Sequence, residues 1–193
     1  MEYQLIDNEI VTEPVTLLEQ KAFSRIDADY SADDNDIQLM ITSARQRLEL
    51  YLNVGFVKRE VKVLFNGSSV KLPLYPNGDI LSITDGTDPI PADKYHVGGI
   101  GLKTIIMGGA FDWHGNWFYT RCGFVEFTPD VIHNHTTYDV TYDTGHEILP
   151  QALKMALMSQ VDFDIKNLGM PLYGPLSDSV LAMTFQYSQN LIL

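Results

Sequence analysis

Between residues 34 and 52 the apolar positions Ile37, Met40, Ile41, Ala44, Leu48, Tyr51 and Leu52 recur three and four apart, while Arg45, Arg47 and Glu49 lie elsewhere. That spacing predicts a helix with one buried stripe, roughly 28 Å long. Gly55 stands just beyond its end. Upstream, PVTLLEQKAFSRI (14–26) sets Glu19 three positions after Thr16, a capping box that satisfies two orphan amides at a helix start. Leu18, Ala22 and Ile26 then share one face, widened by Leu17 and Phe23. From 149 the helical period returns: Pro150 suits a first helical position, and Leu153, Ala156, Leu157, Gln160, Val161, Asp164 and Ile165 step along one face to about Asn167. Gly169, Pro171, Gly174 and Pro175 break the chain, and Ser177 or Asp178 can cap a last segment whose face holds Val180, Leu181, Thr184, Phe185 and Ser188.

Residues 56–147 change character, to short β-branched and aromatic runs cut by Gly, Pro, Asn and Asp. Val61, Val63 and Phe65 alternate before Asn66-Gly67, and Val70, Leu72 and Leu74 alternate after it, so a β-hairpin is expected at 60–74. Further strands are expected at 80–84, 94–97, 102–107, 123–127 and 137–142, with an aromatic loop at 108–120. The fold class that follows is α+β: a small bundle of three to four helices, at about 14–55 and 149–190, with a β-rich insertion at about 56–147, all in a single domain of 193 residues.

Composition narrows the classes. A chain of this length buries roughly 70% of its unfolded surface and needs no staples. The lone Cys122 excludes an internal disulfide framework and suits a reducing cytoplasm. No apolar run reaches the roughly 20 residues of a membrane helix, and MEYQLIDNEI lacks the pattern of a signal peptide, so a soluble, unexported protein is expected. The formal charge of −12 is spread along the chain: residues 1–60 hold 12 acids against 6 bases, and 61–147 hold 10 against 5. A phosphate backbone is repelled by such a surface, which argues against tight DNA binding.

The stretch RIDADYSADDND (25–36) raises the question of a cation site, because Asp27, Asp29, Ser31, Asp33 and Asn35 recur at every second position, the oxygen spacing of a helix-loop-helix calcium loop. The match fails where that loop is strict: Ala32 replaces the turn glycine and Gln38 the closing bidentate glutamate. The simpler reading is a stop for the first helix and an acidic start for the second, where the helix dipole favours negative charge. His133 and His135, with His114 or His146, lack a Cys or carboxylate cluster at ligand spacing and read as loop histidines. Cys122 beside Arg121 has no nucleophile signature around it, and Gly98-Gly99-Ile100-Gly101 lacks the downstream glycine and helix of a nucleotide fingerprint. No catalytic, metal or cofactor residue is assigned. The remaining candidate is FDWHGNWFY, whose Phe111, Trp113, Trp117, Phe118 and Tyr119 either fill a satellite core or anchor a protein interface; Phe185 and Tyr187 join them as candidate interface residues.

Several stretches together resemble the head-tail connector (adaptor) family of tailed bacteriophages: VTLLEQKAFSRID (15–27), DDNDIQLMITSARQRLELYL (33–52), Leu72-Pro73-Leu74-Tyr75-Pro76 followed by Ile80–Thr84, and Tyr138–Gly145 ahead of ILPQALKMALMSQVDFDIKN. The resemblance covers roughly 14–85 and 137–167 and lies in order and spacing more than in one motif. Two departures stand out. The third helix of the family commonly carries a Trp-Tyr and an arginine near its end, where this chain has Asp162-Phe163-Asp164 and Lys166-Asn167, and residues 100–135 are longer and more aromatic. The resemblance implies a non-enzymatic virion protein: a homo-oligomeric ring, a dodecamer, beneath the portal protein, which extends the DNA channel and docks a downstream tail or neck protein. It implies no cofactor and no membrane, and a place at the head-tail junction after assembly in the host cytoplasm. The alternatives are another neck or tail-completion protein, or a metal-dependent enzyme using the histidines and the Asp-rich turn.

Overall fold

The computed structural model describes residues 3–7, 12–66, 69–86, 88–92, 95–98, 104–107, 137–167 and 176–187. The chain divides into two compact units, one of Glu9–Arg59, Leu74–Pro76 and Thr144–Leu193, the other of Met1–Asn8, Glu60–Pro73 and Asn77–Asp143.

The first unit is helical. Its α1 (Leu17–Ser24) opens on the expected box: Glu19 N donates to Thr16 Oγ1 at 3.2 Å and Thr16 N donates to Glu19 Oε2 at 2.9 Å. Arg25 ends it in the left-handed region, with φ 58°. The buried face departs from expectation, because Leu18 is 63% exposed while Gln20 and Lys21 are buried. Those two polar side chains hydrogen-bond the backbone of neighbouring segments, and Leu17, Phe23 and Ile26 supply the apolar contact instead.

α2 (Asp34–Leu52) has the expected bounds and buries Ile37, Met40, Ile41, Ala44, Leu48 and Leu52. Tyr51 turns half outward, whereas Arg45 and Glu49, expected off the stripe, are buried beside it. The stripe packs on α3 (Gln151–Lys166), whose Leu153, Ala156, Leu157, Met158 and Val161 share its core, and Val180 of α4 (Asp178–Thr184), which packs on α3, joins the same core. Pro150 is the residue before α3 rather than its first turn, and Phe185–Tyr187 adds one 3-10 turn after α4.

Three short segments of this unit are clasped together beyond α2. Val54 bridges Tyr75 in parallel, Gly55 N donates to Tyr75 O at 2.8 Å, Leu74 N to Asn53 Oδ1 at 2.9 Å, and Gly145 N to Pro76 O at 3.1 Å. Gly145 has φ 90°, and a Cβ there would lie 2.1 Å from Val57 O, so both the backbone angle and the space demand glycine.

Among the described residues the second unit holds two sheets, in the orders β1-β2-β7-β4 and β3-β6-β5. The strands are β1 (Tyr3–Asp7), β2 (Arg59–Asn66), β3 (Ser69–Lys71), β4 (Asn77–Thr84), β5 (Tyr95–Gly98), β6 (Thr104–Met107) and β7 (Thr137–Thr144). β2 alternates as expected, with Val61, Val63 and Phe65 buried, and pairs antiparallel with β1 in the register Tyr3 to Phe65. β3 pairs antiparallel with β6, which also pairs with β5.

The expected hairpin at 60–74 is corrected here. Its two strands form, but β2 lies between β1 and β7 while β3 belongs to the other sheet. A strand has only two hydrogen-bonding edges, and both edges of β2 are occupied. The missing term in the expectation was β1, an N-terminal strand that the sequence reading did not propose. Among the described residues this unit buries Val61, Val63, Phe65, Val70, Leu72, Ile83, Ile105, Val140 and Tyr142 together with the polar Asn77; Asn77 Nδ2 and the Tyr142 hydroxyl both donate to Pro73 O at 2.8 Å. The expected strand at 123–127 lies outside the described residues.

Candidate functional site

The Asp-rich turn between α1 and α2 is organised by a cation of the chain itself. Lys21, 3% exposed, sends its ammonium from α1 into the turn, where Nζ donates to Tyr30 O at 2.7 Å and to Ala28 O at 3.4 Å and forms an ion pair with Asp34. Asp27 Oδ1 accepts from Asp29 N at 3.1 Å, closing a local Asx turn. The hydrogen bond to Asp33 and its negative charge push the Tyr30 phenol above its ordinary range. Asp33 precedes α2 without a side-chain capping bond, while Asp34 and Asp36 occupy its first turn, where they favour the helix dipole. Asp34 thus serves both the helix start and the Lys21 ammonium, on which the carbonyls of Ala28 and Tyr30 also close. Among the described residues no three His, Cys, Asp or Glu side chains gather as metal ligands.

A second charged cluster is buried at the other end of α2. The Glu49 carboxylate accepts from Phe56 N at 2.7 Å, from Arg45 Nη1 at 2.7 Å, and from Arg59 Nη1 and Nη2 at 2.9 and 3.1 Å. Arg45 turns its Nε to Glu13 Oε2 at 2.8 Å, and Thr42 Oγ1 donates to Glu13 Oε1 at 2.8 Å. Four segments are tied by one network, in which the acid oxygens are taken up by structural donors. Sequence reasoning missed it, although a signal existed: a glutamate in the last turn of a helix opposes the dipole and calls for a compensating base. Arg45, four residues earlier, is one such base; Arg59, ten residues on, became visible only through the fold.

A third set joins α2, α3 and α4. Arg47 is paired with Asp164, whose other oxygen accepts from Gln160 Nε2 at 2.9 Å, and Gln160 Oε1 accepts from Ser177 N at 2.9 Å. Asp164 stands in the stretch where the connector pattern departs, and here the arginine that faces it comes from α2. His146 lies with its ring edge-on to Tyr75, centroids 6.5 Å apart, and partial burial pushes its pKa down.

The candidate interface residues are distributed unevenly. Phe185 is 70% exposed on the 3-10 turn, whereas Tyr187 is half-buried against the helical core. Phe111, Trp113, Trp117, Phe118 and Tyr119 lie outside the described residues, as do Cys122, His114, His133 and His135. No helix among the described residues is long and apolar enough to cross a membrane. The buried polar groups hold helices and turns in place, and Leu50, Ile148 and Phe185 are among the most exposed apolar side chains described.

No family model and no curated protein matches the sequence. Solved structures do. The chain is similar to one in the neck of an empty gene transfer agent particle computed with C6 symmetry, with TM-score 0.68 and 14% identity over 95% of this chain and 94% of that one. It is similar to one in the virion of the native gene transfer agent particle, with TM-score 0.67 and 13% identity over 95% and 94%. A third, in the neck of the native particle computed with C12 symmetry, gives TM-score 0.58 and 14% identity over 94% of each chain. At such identities the likeness is one of fold, shared with chains of gene transfer agent neck and virion structures, and it is consistent with the head-tail connector resemblance of the sequence.

Proposed function

We propose that this chain is a structural protein of a virion neck, a head-tail connector that assembles as a homo-oligomeric ring beneath the portal, continues the DNA channel and docks the next tail or neck protein. The observation that carries the reading is the likeness of fold to gene transfer agent neck chains over 95% of the chain. The ring is a dodecamer in the resembled family, and the chain works at the head-tail junction after assembly in the host cytoplasm. It has no catalytic role and needs no cofactor.

The charge of −12 acquires a physical role in this setting. An acidic channel wall repels phosphate, so DNA passes through the ring without adhering. Phe111, Trp113, Trp117, Phe118 and Tyr119, with Phe185 and Tyr187, are the proposed contacts to neighbouring proteins, since aromatic side chains carry a large share of binding energy at interfaces.

The test is electron microscopy of the purified protein mixed with its cognate portal. A ring docked at one end of the portal is expected, with a lumen lined mainly by Asp and Glu. Absence of any ring overturns the connector reading, and a lumen lined mainly by Lys and Arg overturns the account of the charge.

A further inference from the structure

The four-stranded sheet ends in two different strands, β1 on one side and β4 on the other. Within a strand the N–H and C=O of one residue point to the same side, and those of the next residue to the opposite side. On β4 the direction is set at its end. Ile83 O accepts from Ile90 N at 2.8 Å, and Thr84 bridges Pro89, through a turn in which Asp85 N donates to Asp88 O at 3.1 Å. The returning segment lies on the side away from β7, so Ile83 faces outward. Two and four residues back, Leu81 and Asp79 present their N–H and C=O to that same outer side. Among the described residues no strand accompanies β4 there, and both side chains are exposed, Leu81 by 48%.

An open strand edge is a template for another strand. We propose that the outer edge of β4 at Asp79–Leu81 receives β1 of a second copy of this chain, so that the sheet continues from copy to copy; this rests on the ring reading above. The choice of β1 follows from closure. Pairing β4 with β4 makes a two-fold dimer that stops growing, whereas pairing β4 with β1 leaves one free β1 and one free β4 at every stage and propagates until the rotation closes a ring. The exposed Leu81 becomes covered at each junction, and the main chain supplies the register.

The geometry makes the test specific. Proline is tolerated on an edge strand where its missing N–H faces outward. Leu81→Pro therefore leaves the monomer folded, by circular dichroism and thermal melting, and lowers the ring fraction about tenfold through loss of an edge hydrogen bond and added bulk. Leu81→Lys, which keeps the backbone and charges the edge, has the same effect on assembly. In a Cys122→Ser background, Leu81→Cys combined with a cysteine scanned along Tyr3–Asp7 yields, at the paired register, a ladder of many chain lengths on a denaturing gel under oxidation. Rings that form normally in Leu81→Pro and Leu81→Lys, or cross-links that stop at dimers, overturn the edge proposal while leaving the connector reading intact. Failure of the unmodified protein to form any ring with portal overturns the connector reading itself.

Discussion

The helical unit and the β unit solve the burial of polar groups in opposite ways. The helical unit buries Arg45, Glu49, Arg59, Lys21, Gln20 and Gln160, while the buried residues described in the other unit are apolar apart from Asn77. The difference follows from where each architecture leaves its backbone groups unsatisfied. A sheet satisfies them in its ladders, so its side chains are free to be apolar. Short helices leave orphan groups at each end and depend on turns between them, and side-chain charges can reach those places. Lys21 gathers two carbonyls of the turn before α2, and Glu49 takes the amide of Phe56 just after it. Such pairs add little net stability over apolar residues, but losing one partner strands the other.

The largest expected effect breaks this contrast directly. Glu49→Ala removes the buried acceptor shared by the Arg45 and Arg59 guanidiniums and the Phe56 amide, and should cost about 3–5 kcal/mol in a denaturant titration. A midpoint close to that of the unmodified protein would mean that water replaces the carboxylate and that the network is incidental. In the β unit the matching experiment is Val63→Ala, which removes apolar bulk without stranding a polar group and should cost about 2 kcal/mol. If Val63→Ala were the costlier of the two, the contrast would be reversed.

Lys21→Met keeps the apolar stem and removes the ammonium. The loss should be about 1–3 kcal/mol, with hydrogen exchange rising first at the amides of residues 27–34, because two carbonyls and Asp34 lose their donor. Exchange that rises uniformly would deny Lys21 its local role. The smallest effect concerns His146. Its folded-state pKa lies below the ordinary 6.5 because burial disfavours the imidazolium, so the unfolded chain binds the proton more readily. The stability it contributes is present above pH 6.5 and is lost as pH falls through the lower folded value. His146→Gln should flatten the stability profile just below pH 6.5, and an unchanged slope there would assign the dependence to other groups.

Much of this was legible along the chain. The bounds of α2, the capping box at Thr16 and Glu19, and the strand character of β2, β4 and β7 are local properties, set by spacing and by side chains within one turn of each other. The Asp-rich turn was legible as a helix stop and an acidic start. Its organising cation was not, because Lys21 lies outside the apolar face that the spacing shows, and a hydropathy pattern cannot see a carbonyl seven or nine residues away. The connector resemblance rested on the order of these local pieces, and the likeness of fold to neck chains agrees with it.

By itself, then, the sequence determined the helices and the strands after residue 56, because those choices depend on interactions a few residues apart, while β1 formed only where β2 offered it an edge. Only the tertiary structure decided which strand lies beside which, and which charges are buried. The 60–74 hairpin gave way because β1, more than fifty residues upstream of the turn, took one edge of β2, and β7, about seventy residues downstream, took the other. Glu49 became an anchor because the fold brought Arg59 and the Phe56 amide to it. Edges and buried charges are satisfied by distant partners, and periodicity records only the face a residue turns, not what meets it there.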